Sequence, residues 1–396
     1  MSLKDFRLAR LAKAAEHFQA NVIVASLPAN IAYLANGYVS VDANITAGSQ
    51  SYALYVPSSG KIIYVVSCAE IPTVIEHAGS NVSICCFGNF HFAIGNGTLS
   101  HQVDELCKTS LPSAEEALAY VLNGLNLKNS CIALDESRVS PIVWEKLSLS
   151  IHGNNRLIAG SSLFLEARII KHPDEIKGLE DAAVLAEQSL ATALKSFRAG
   201  MTECDLERLY SLAMVEHGGC PTFFVGTANL RAAYPDAATC TNQPIETNSH
   251  IRFDFGGTYN GYYSDLARTA SVGKPNDKLC RYYNAVKLGM EQAIAAIRPG
   301  VSAREIFEIA VSTTRLNGIN AYSRHHCGHG LGLGVHELPS IDQNTDMLLE
   351  KDMVLCIETP YYEIDWGGVQ LESTVVVTDT GARHLDKGSR ELIVLD

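Results

Sequence analysis

Two aspartates, Asp254 and Asp265, lie in the segment 251–270, IRFDFGGTYNGYYSDLARTA. Residues 251–255 are apolar and β-prone, and the glycines that follow suit a turn, so the pattern predicts two strands joined by a tight loop. Side chains from both strands can then face one point, where like charges destabilise each other unless a cation neutralises them. The segment therefore predicts either a cation site or two solvated acids on an exposed hairpin.

Two glutamates extend this pattern, because Glu358 and Glu372 lie inside the apolar, strand-like runs MVLCIETPYY and VQLESTVVVT. An unpaired carboxylate in such a run is costly, so each acid needs its own cationic partner or both serve one site. The run 323–339, SRHHCGHGLGLGVHELP, adds His329 and His336 among glycines that allow close approach of the backbone. A dinucleotide-binding fingerprint is excluded, since these glycines do not open a helix that is followed by an acid.

Five potential metal ligands thus stand on separate segments and are called the ligand set: Asp254, Asp265, His329, Glu358 and Glu372. Four carboxylates are too many negative charges for one divalent ion, and they suit two ions about 3.5 to 4 Å apart that share bridging carboxylates. Because the set is rich in oxygen, Mn²⁺ is the expected metal, with cobalt, zinc and iron as alternatives.

The elements that must position these residues fall into two predicted domains, 1–165 and 166–396. The first is predicted to be an α/β domain with a mixed sheet, in which His91 and His101 are surface histidines. Its predicted helices are 5–19, 114–125 and 141–149, and its predicted strands are 21–26, 52–57, 61–66, 82–87 and 131–135. A long helix is expected to open the second domain at Pro173.

The second domain contains an internal repeat, because FRAGMTECDL (197–206) and IRPGVSAREI (297–306) share one pattern. In each, a glycine ends one helix and a capping box or its close variant starts the next: Thr202 with Asp205, and Ser302 with Glu305. The expected fold is an α+β domain with internal pseudo-two-fold symmetry and a cleft between its halves. A chance similarity of helix boundaries is the alternative.

The composition limits the class of partner. A formal net charge of −12 and the lack of any Lys/Arg run argue against nucleic acid, and no apolar run is long enough for a membrane span. A small peptide or small amide substrate is expected, in the cytoplasm. Eleven cysteines without a CxxC motif predict reduced, packed thiols.

The motif D-F-G-G-x₄-Y-x-S-D-L-A-R-T, followed by G-H-G-x-G-x₃-H-E, I-E-T-P and L-E-S-T, resembles the pita-bread metallopeptidase family. That family holds methionine aminopeptidase, aminopeptidase P, prolidase and creatinase, and the resemblance covers essentially the whole chain. It implies two metal ions, a homodimer, and a role for each residue: Asp254 on one metal, His329 and Glu358 on the other, Asp265 and Glu372 as bridges, Glu358 also as acid/base, and His336 on the substrate.

The chain departs from the family pattern on the substrate side. A histidine usually precedes the first aspartate by about seventeen residues, whereas this chain offers only Tyr234 and Asp236 there. Gln370 stands where prolidases and aminopeptidases P usually carry arginine, and Ser373 where an acid is common. Tyr234, Asp236, His325 and Gln370 are the predicted substrate-binding residues, and Xaa-Pro dipeptides are expected to be poor substrates relative to some other small amide.

The predicted function is hydrolysis of a C–N bond by a metal-activated water, most simply in an Xaa-Pro peptidase. A small-molecule amide hydrolase of the ectoine or creatine type is the alternative within the family. Two alternatives from other classes are a non-catalytic binding protein on the same fold and a nucleophilic enzyme that uses Cys327 beside His326.

Overall fold

The computed structural model describes residues 1–38, 51–79, 82–237 and 239–395. They form two compact units, Met1–Arg168 and Ile169–Asp396. The predicted boundary at residue 165 falls inside the helix Ser161–Arg168, and the first unit ends with that helix. The predicted α/β class of the N-terminal part is confirmed, because helices and strands alternate along it.

The first unit is built around a mixed sheet whose central strands β1, β2 and β5 are fully buried. The strands are β1 Val22–Ala25, β2 Tyr52–Val56, β3 Lys61–Ser67, β4 Ser83–Phe87, β5 Cys131–Leu134 and β6 Arg156–Ala159. Their order is β4-β3-β2-β1-β5-β6, with β2 and β3 paired as an antiparallel hairpin. The helices are α1 Leu3–His17, α2 Pro28–Leu34, α3 Ile71–Ala78, α4 Thr98–Lys108, α5 Ala114–Gly124, α6 Pro141–Ser150 and α7 Ser161–Arg168. His91 and His101 are exposed, as predicted.

The second unit opens with the predicted long helix. Its helices are α8 Pro173–Lys195, α9 Glu203–Glu216, α10 Asp277–Ala296 and α11 Ala303–Leu316. Pro173 lies in the first turn of α8, where its missing N–H costs nothing. Both predicted capping boxes are present, since each cap hydroxyl accepts from the backbone three residues on and each acid accepts from the cap backbone: Thr202 with Asp205, and Ser302 with Glu305.

A second sheet, curled and largely antiparallel, carries the site. Its strands and the small hairpin beside it are β7 Cys220–Ala228, β8 His250–Tyr259, β9 Tyr262–Val272, β10 Gly328–Gly330, β11 Glu337–Ser340, β12 Val354–Glu358, β13 Tyr361–Glu363, β14 Gly367–Val369, β15 Glu372–Val377, β16 Ala382–His384 and β17 Ile393–Leu395. The order is β11-β10-β12-β15-β9-β8-β7, while β16 pairs with β15, β17 with β9, and β13 with β14.

The internal repeat is visible in the packing of this unit. Helices α8 and α9 share one apolar core with β8 and β9, which includes Ala186, Leu206, Phe253 and Leu266. Helices α10 and α11 share another with β12 and β15, which includes Met290, Ile306, Leu355 and Val375. Each helix pair therefore covers its own part of the sheet, which we call the α8–β9 half and the α10–β15 half.

Cys204 and Cys240 form a disulfide, so the prediction of reduced thiols is wrong for this pair. The two residues are 36 positions apart, and only the fold brings them together. The other nine cysteines, all in the described part of the chain, are free. Among the described residues, no helix combines the length and apolar character that crossing a bilayer requires.

Candidate metal centre

Four neighbouring strands place three acids in one row. Glu358 on β12 lies opposite Glu372 on β15, Glu372 lies opposite Ala267 on β9, and Ala267 lies opposite Asp254 on β8. Directly opposed residues of antiparallel strands project from the same face of a sheet. The three carboxylates therefore converge, and the small side chain of Ala267 leaves room between them.

A second row completes the ligand set. Asp265 lies two residues before Ala267, and His329 on β10 lies opposite Cys356, two residues before Glu358. Residues two apart on a strand share a face, so this row projects beside the first. Ligand atoms of four buried residues lie within 4.8 Å of one another: Asp265, His329, Cys356 and Glu372. Sequence reasoning missed Cys356, because a cysteine inside an apolar run such as VLCIE is usually a thiol packed in the core.

His329 is held with one ring nitrogen turned toward the acids. Its Nδ1 lies 3.0 Å from the carbonyl oxygen of Gly330 and its Nε2 lies 3.5 Å from Asp265 Oδ2. With Nδ1–H donating to the carbonyl, Nε2 is the atom free to bind a cation. Gly328, at φ +140°, has a backbone conformation that favours glycine, and a side chain there would collide with the carbonyl oxygen of Cys356.

These residues line one cavity of about 260 Å³, which we call the site cavity. Its walls are Phe223, Val225, Pro235, Asp236, Asp254, Asp265, His329, Val335, His336, Glu358 and Glu372. The structure thus brings all five members of the ligand set together with His336 and Asp236. The ring of His336 lies 4.1 Å from that of His329, measured between centroids.

Three predicted substrate residues are not among those that line the site cavity. Tyr234 is 45 % exposed, and its ring lies under the Arg231 guanidinium. His325 is exposed and has its ring 4.1 Å from that of His326. Gln370 is buried behind the carboxylates. A direct substrate contact remains a prediction for these three residues.

His326, rather than its neighbour, reaches the ligand set. Its Nε2 lies 2.7 Å from Glu358 Oε1, and Arg324 Nη2 lies 3.9 Å from the same oxygen. The sequence offered no signal to choose between two adjacent histidines, because only the backbone path decides which one points inward. Cys327 is fully buried and burial raises its pKa to about 12, which argues against a nucleophilic cysteine.

The side-chain amide of Gln370 contacts Asp254 and Glu358, the first and last acids of the first row. Gln370 Nε2 donates to Asp254 Oδ2 at 2.9 Å and lies 3.5 Å from Glu358 Oε2. Its Oε1 accepts from Arg252 Nη1 at 2.7 Å, which fixes the orientation of the amide. Arg252 is fully buried, and sequence reasoning missed it because arginine in a strand is usually exposed.

The electrostatics are those of a crowded acid cluster. Burial and the nearby Asp265 raise the pKa of Asp254 to about 7, and burial with the same neighbour raises the pKa of Glu372 well above its ordinary value. Burial also acts to raise the pKa of Glu358, but the hydrogen bond from His326 and the charge of Arg324 outweigh it, so that pKa is lowered.

The residues present fit divalent cations. Glu372 Oε1 is buried and has no hydrogen-bond partner among the described residues, and a buried carboxylate oxygen needs a donor or a cation. Four carboxylates and one imidazole nitrogen form a hard, oxygen-rich donor set. Cations bound here would remove the repulsion that raises the two pKa values.

Comparisons with known proteins agree with this geometry. The family model of metallopeptidase family M24 matches residues 177–379, just over half of the chain. An Xaa-Pro dipeptidase of Pyrococcus furiosus is 34 % identical over 230 residues, which cover 58 % of this chain and 66 % of that protein. The match thus spans about two thirds of the length of this relative.

Solved structures share the whole fold. An Xaa-Pro dipeptidase from Bacillus anthracis has a TM-score of 0.82 at 23 % identity, covering 98 % of this chain and 99 % of that one. An X-Pro aminopeptidase from Thermotoga maritima has a TM-score of 0.77 at 22 % identity, covering 97 % and 100 %. The match of the family model to the second unit, together with its curled sheet, shows that the chain belongs to metallopeptidase family M24.

Proposed function

We propose that this protein is a metal-dependent hydrolase that cleaves the amide bond of Xaa-Pro peptides. The observation that carries the proposal is the convergence of five metal-ligating side chains in one small cavity. Family membership supports a metallopeptidase, and the similarity to the Pyrococcus furiosus Xaa-Pro dipeptidase supports the substrate class.

Two divalent ions are proposed to be held by the ligand set, with Asp265 and Glu372 shared between them. Mn²⁺ is the proposed metal because carboxylate oxygens dominate the donor set. When bound, such ions supply a water that ionises near neutral pH and stabilise charge on the scissile carbonyl oxygen.

Glu358 is proposed to carry the proton during the reaction. His326 holds one of its oxygens at 2.7 Å, and the lowered pKa keeps Glu358 ionised at neutral pH, the form that a general base requires. The same carboxyl group would then return the proton to the leaving nitrogen. His326 thereby orients the acid/base group, a role like that of the third member of a catalytic triad.

His336 is proposed to contact the substrate rather than a metal. Burial and the neighbouring His329 lower its pKa, so it is neutral at pH 7 and has one N–H to donate. The apolar walls formed by Phe223, Val225, Pro235 and Val335 suit a proline ring and limit the access of water.

The alternatives have less support. A binding protein without activity would have no need for the His326–Glu358 contact beside four converging acids, and the relatives named here are peptidases. No comparison favours a creatinase-type amide hydrolase. A homodimer and a cytoplasmic location, both expected from the sequence, remain proposals.

The test is peptide hydrolysis by the purified protein after metal removal and after Mn²⁺ addition. We expect release of proline or a prolyl product only with metal, and its loss in Asp265→Asn but not in Asp365→Asn, an exposed aspartate outside the site cavity. Failure of the metal-loaded protein to cleave any Xaa-Pro peptide or amide would overturn the proposal.

A further inference from the structure

Among the described residues that line the site cavity, Asp236 is the one acid outside the ligand set. No lysine or arginine stands among the lining residues that the structure describes. Two divalent ions would balance the four carboxylates of the ligand set. Asp236 is then the acid of the cavity wall whose charge no bound ion would balance.

Arg252, whose Nη1 lies 3.8 Å from Asp254 Oδ2, is held in place by other parts of the protein. It is fully buried, its Nε donates to the carbonyl oxygen of Ala232 and its Nη1 to Gln370 Oε1. Its Nη2 donates to the carbonyl oxygens of Tyr234 and Pro235. Every guanidinium nitrogen is therefore engaged by the protein, and Arg252 cannot reach a ligand without breaking these bonds.

Arg324 is also placed behind the acids. Its Nη2 faces Glu358 at 3.9 Å, and its guanidinium lies over the ring of Tyr362. It lines a different cavity, of about 630 Å³, together with side chains of α11. The site cavity thus combines apolar side chains with the acid Asp236, and neither Arg252 nor Arg324 is among its described lining residues.

We propose that this charge arrangement selects against substrates with a free carboxylate next to the scissile bond, so that amidated or longer Xaa-Pro peptides are cleaved in preference to Xaa-Pro dipeptides. The inference rests on the proposed function. A carboxylate that leaves water without a cationic partner is destabilised, and Asp236 adds repulsion. An amide of the same shape avoids both costs.

The test compares Ala-Pro with Ala-Pro-amide, which have nearly the same shape and differ by one charge. With the Mn²⁺-loaded protein at pH 7.5, we expect kcat/KM for the amide to be about tenfold higher than for the dipeptide. This is the factor expected when one repulsive interaction, between the substrate carboxylate and Asp236, is removed. Equal values, or a faster dipeptide, would overturn this inference but leave the proposed function intact. Cleavage of neither compound, nor of a longer Xaa-Pro peptide, would overturn both.

Substitutions of Asp236 test whether this residue causes the preference for the amide. Because Asp236 is exposed, its substitution should not affect folding. We expect Asp236→Asn to reduce the preference several-fold and Asp236→Lys to reverse it, whereas Asp365→Asn keeps the wild-type ratio. An unchanged ratio in Asp236→Lys would overturn the assignment to Asp236. A dipeptide preference that disappears in Arg324→Ala would show instead that Arg324 holds the carboxylate.

Discussion

In the metal-free protein, Asp254 should lower stability as pH rises, and Asp254→Asn should remove this contribution. Burial, Asp265 and Glu358 raise the pKa of Asp254 from 3.8 to about 7, although Arg252 and the Gln370 hydrogen bond act in the opposite direction. An acid with a raised pKa keeps its proton in the folded state over a range in which the unfolded chain releases it. The stability that depends on Asp254 therefore falls as pH rises between 3.8 and about 7.

The magnitude follows from the size of the shift. At about 1.4 kcal/mol per pH unit, Asp254 alone lowers the free energy of unfolding by about 2 to 3 kcal/mol between pH 5 and pH 7. Glu372, whose pKa is also raised, acts in the same direction. Asparagine does not titrate and can still accept the Gln370 hydrogen bond, so the variant should lack the Asp254 contribution and keep the contributions of the other titrating groups.

The assay is urea unfolding at pH 5, 6 and 7 after chelation and dialysis. The two tryptophans of the chain are Trp144 in the first unit and Trp366 in the second, so a Trp144→Phe background lets fluorescence follow the catalytic unit alone. Adding Mn²⁺ at pH 7 should stabilise the wild type more than it does at pH 5, since metal and proton compete. The reasoning is refuted if the metal-free wild type and Asp254→Asn show the same pH dependence between pH 5 and pH 7.

Three further predictions concern the metal and the residues around it. Chelation should abolish peptide hydrolysis and Mn²⁺ or Co²⁺ should restore it; full activity in protein shown to be metal-free by elemental analysis would contradict this. Gln370→Ala should weaken Mn²⁺ binding about 10- to 100-fold in a calorimetric titration, as expected when a group that orients a ligand is lost, while the exposed Gln343→Ala should bind as the wild type does. His329→Ala should lose metal, whereas His336→Ala should retain it with kcat lower by about 10²- to 10³-fold; reversed metal titrations would show that the two roles are exchanged.

The ligand set could be predicted from the sequence because two of its acids lie in apolar segments. Glu358 ends one buried apolar strand and Glu372 begins another, and an acid has no favourable environment of its own there. Strand periodicity then allows such residues to share a face, and the register places Glu358 opposite Glu372. The helix boundaries at Thr202 and Ser302 were equally predictable, since a capping box is a local signal.

The residues that sequence reasoning missed depend on contacts between distant segments. Arg252 is buried only because four carbonyl and amide oxygens from other segments surround its guanidinium, and nothing in IRFDF indicates them. The choice between His325 and His326 depends on a backbone path that no periodicity fixes. The disulfide between Cys204 and Cys240 depends in the same way on a loop returning to the first turn of α9.

The two halves of the second unit supply different members of the ligand set. The α8–β9 half contributes Asp254 and Asp265, and the α10–β15 half contributes His329, Glu358 and Glu372. Neither half has a complete set, so local opening of either one would require release of a bound ion as well as loss of its own packing. Amide hydrogen exchange in β8, β9, β12 and β15 should therefore slow together when metal is added, which would make the two halves one cooperative unit.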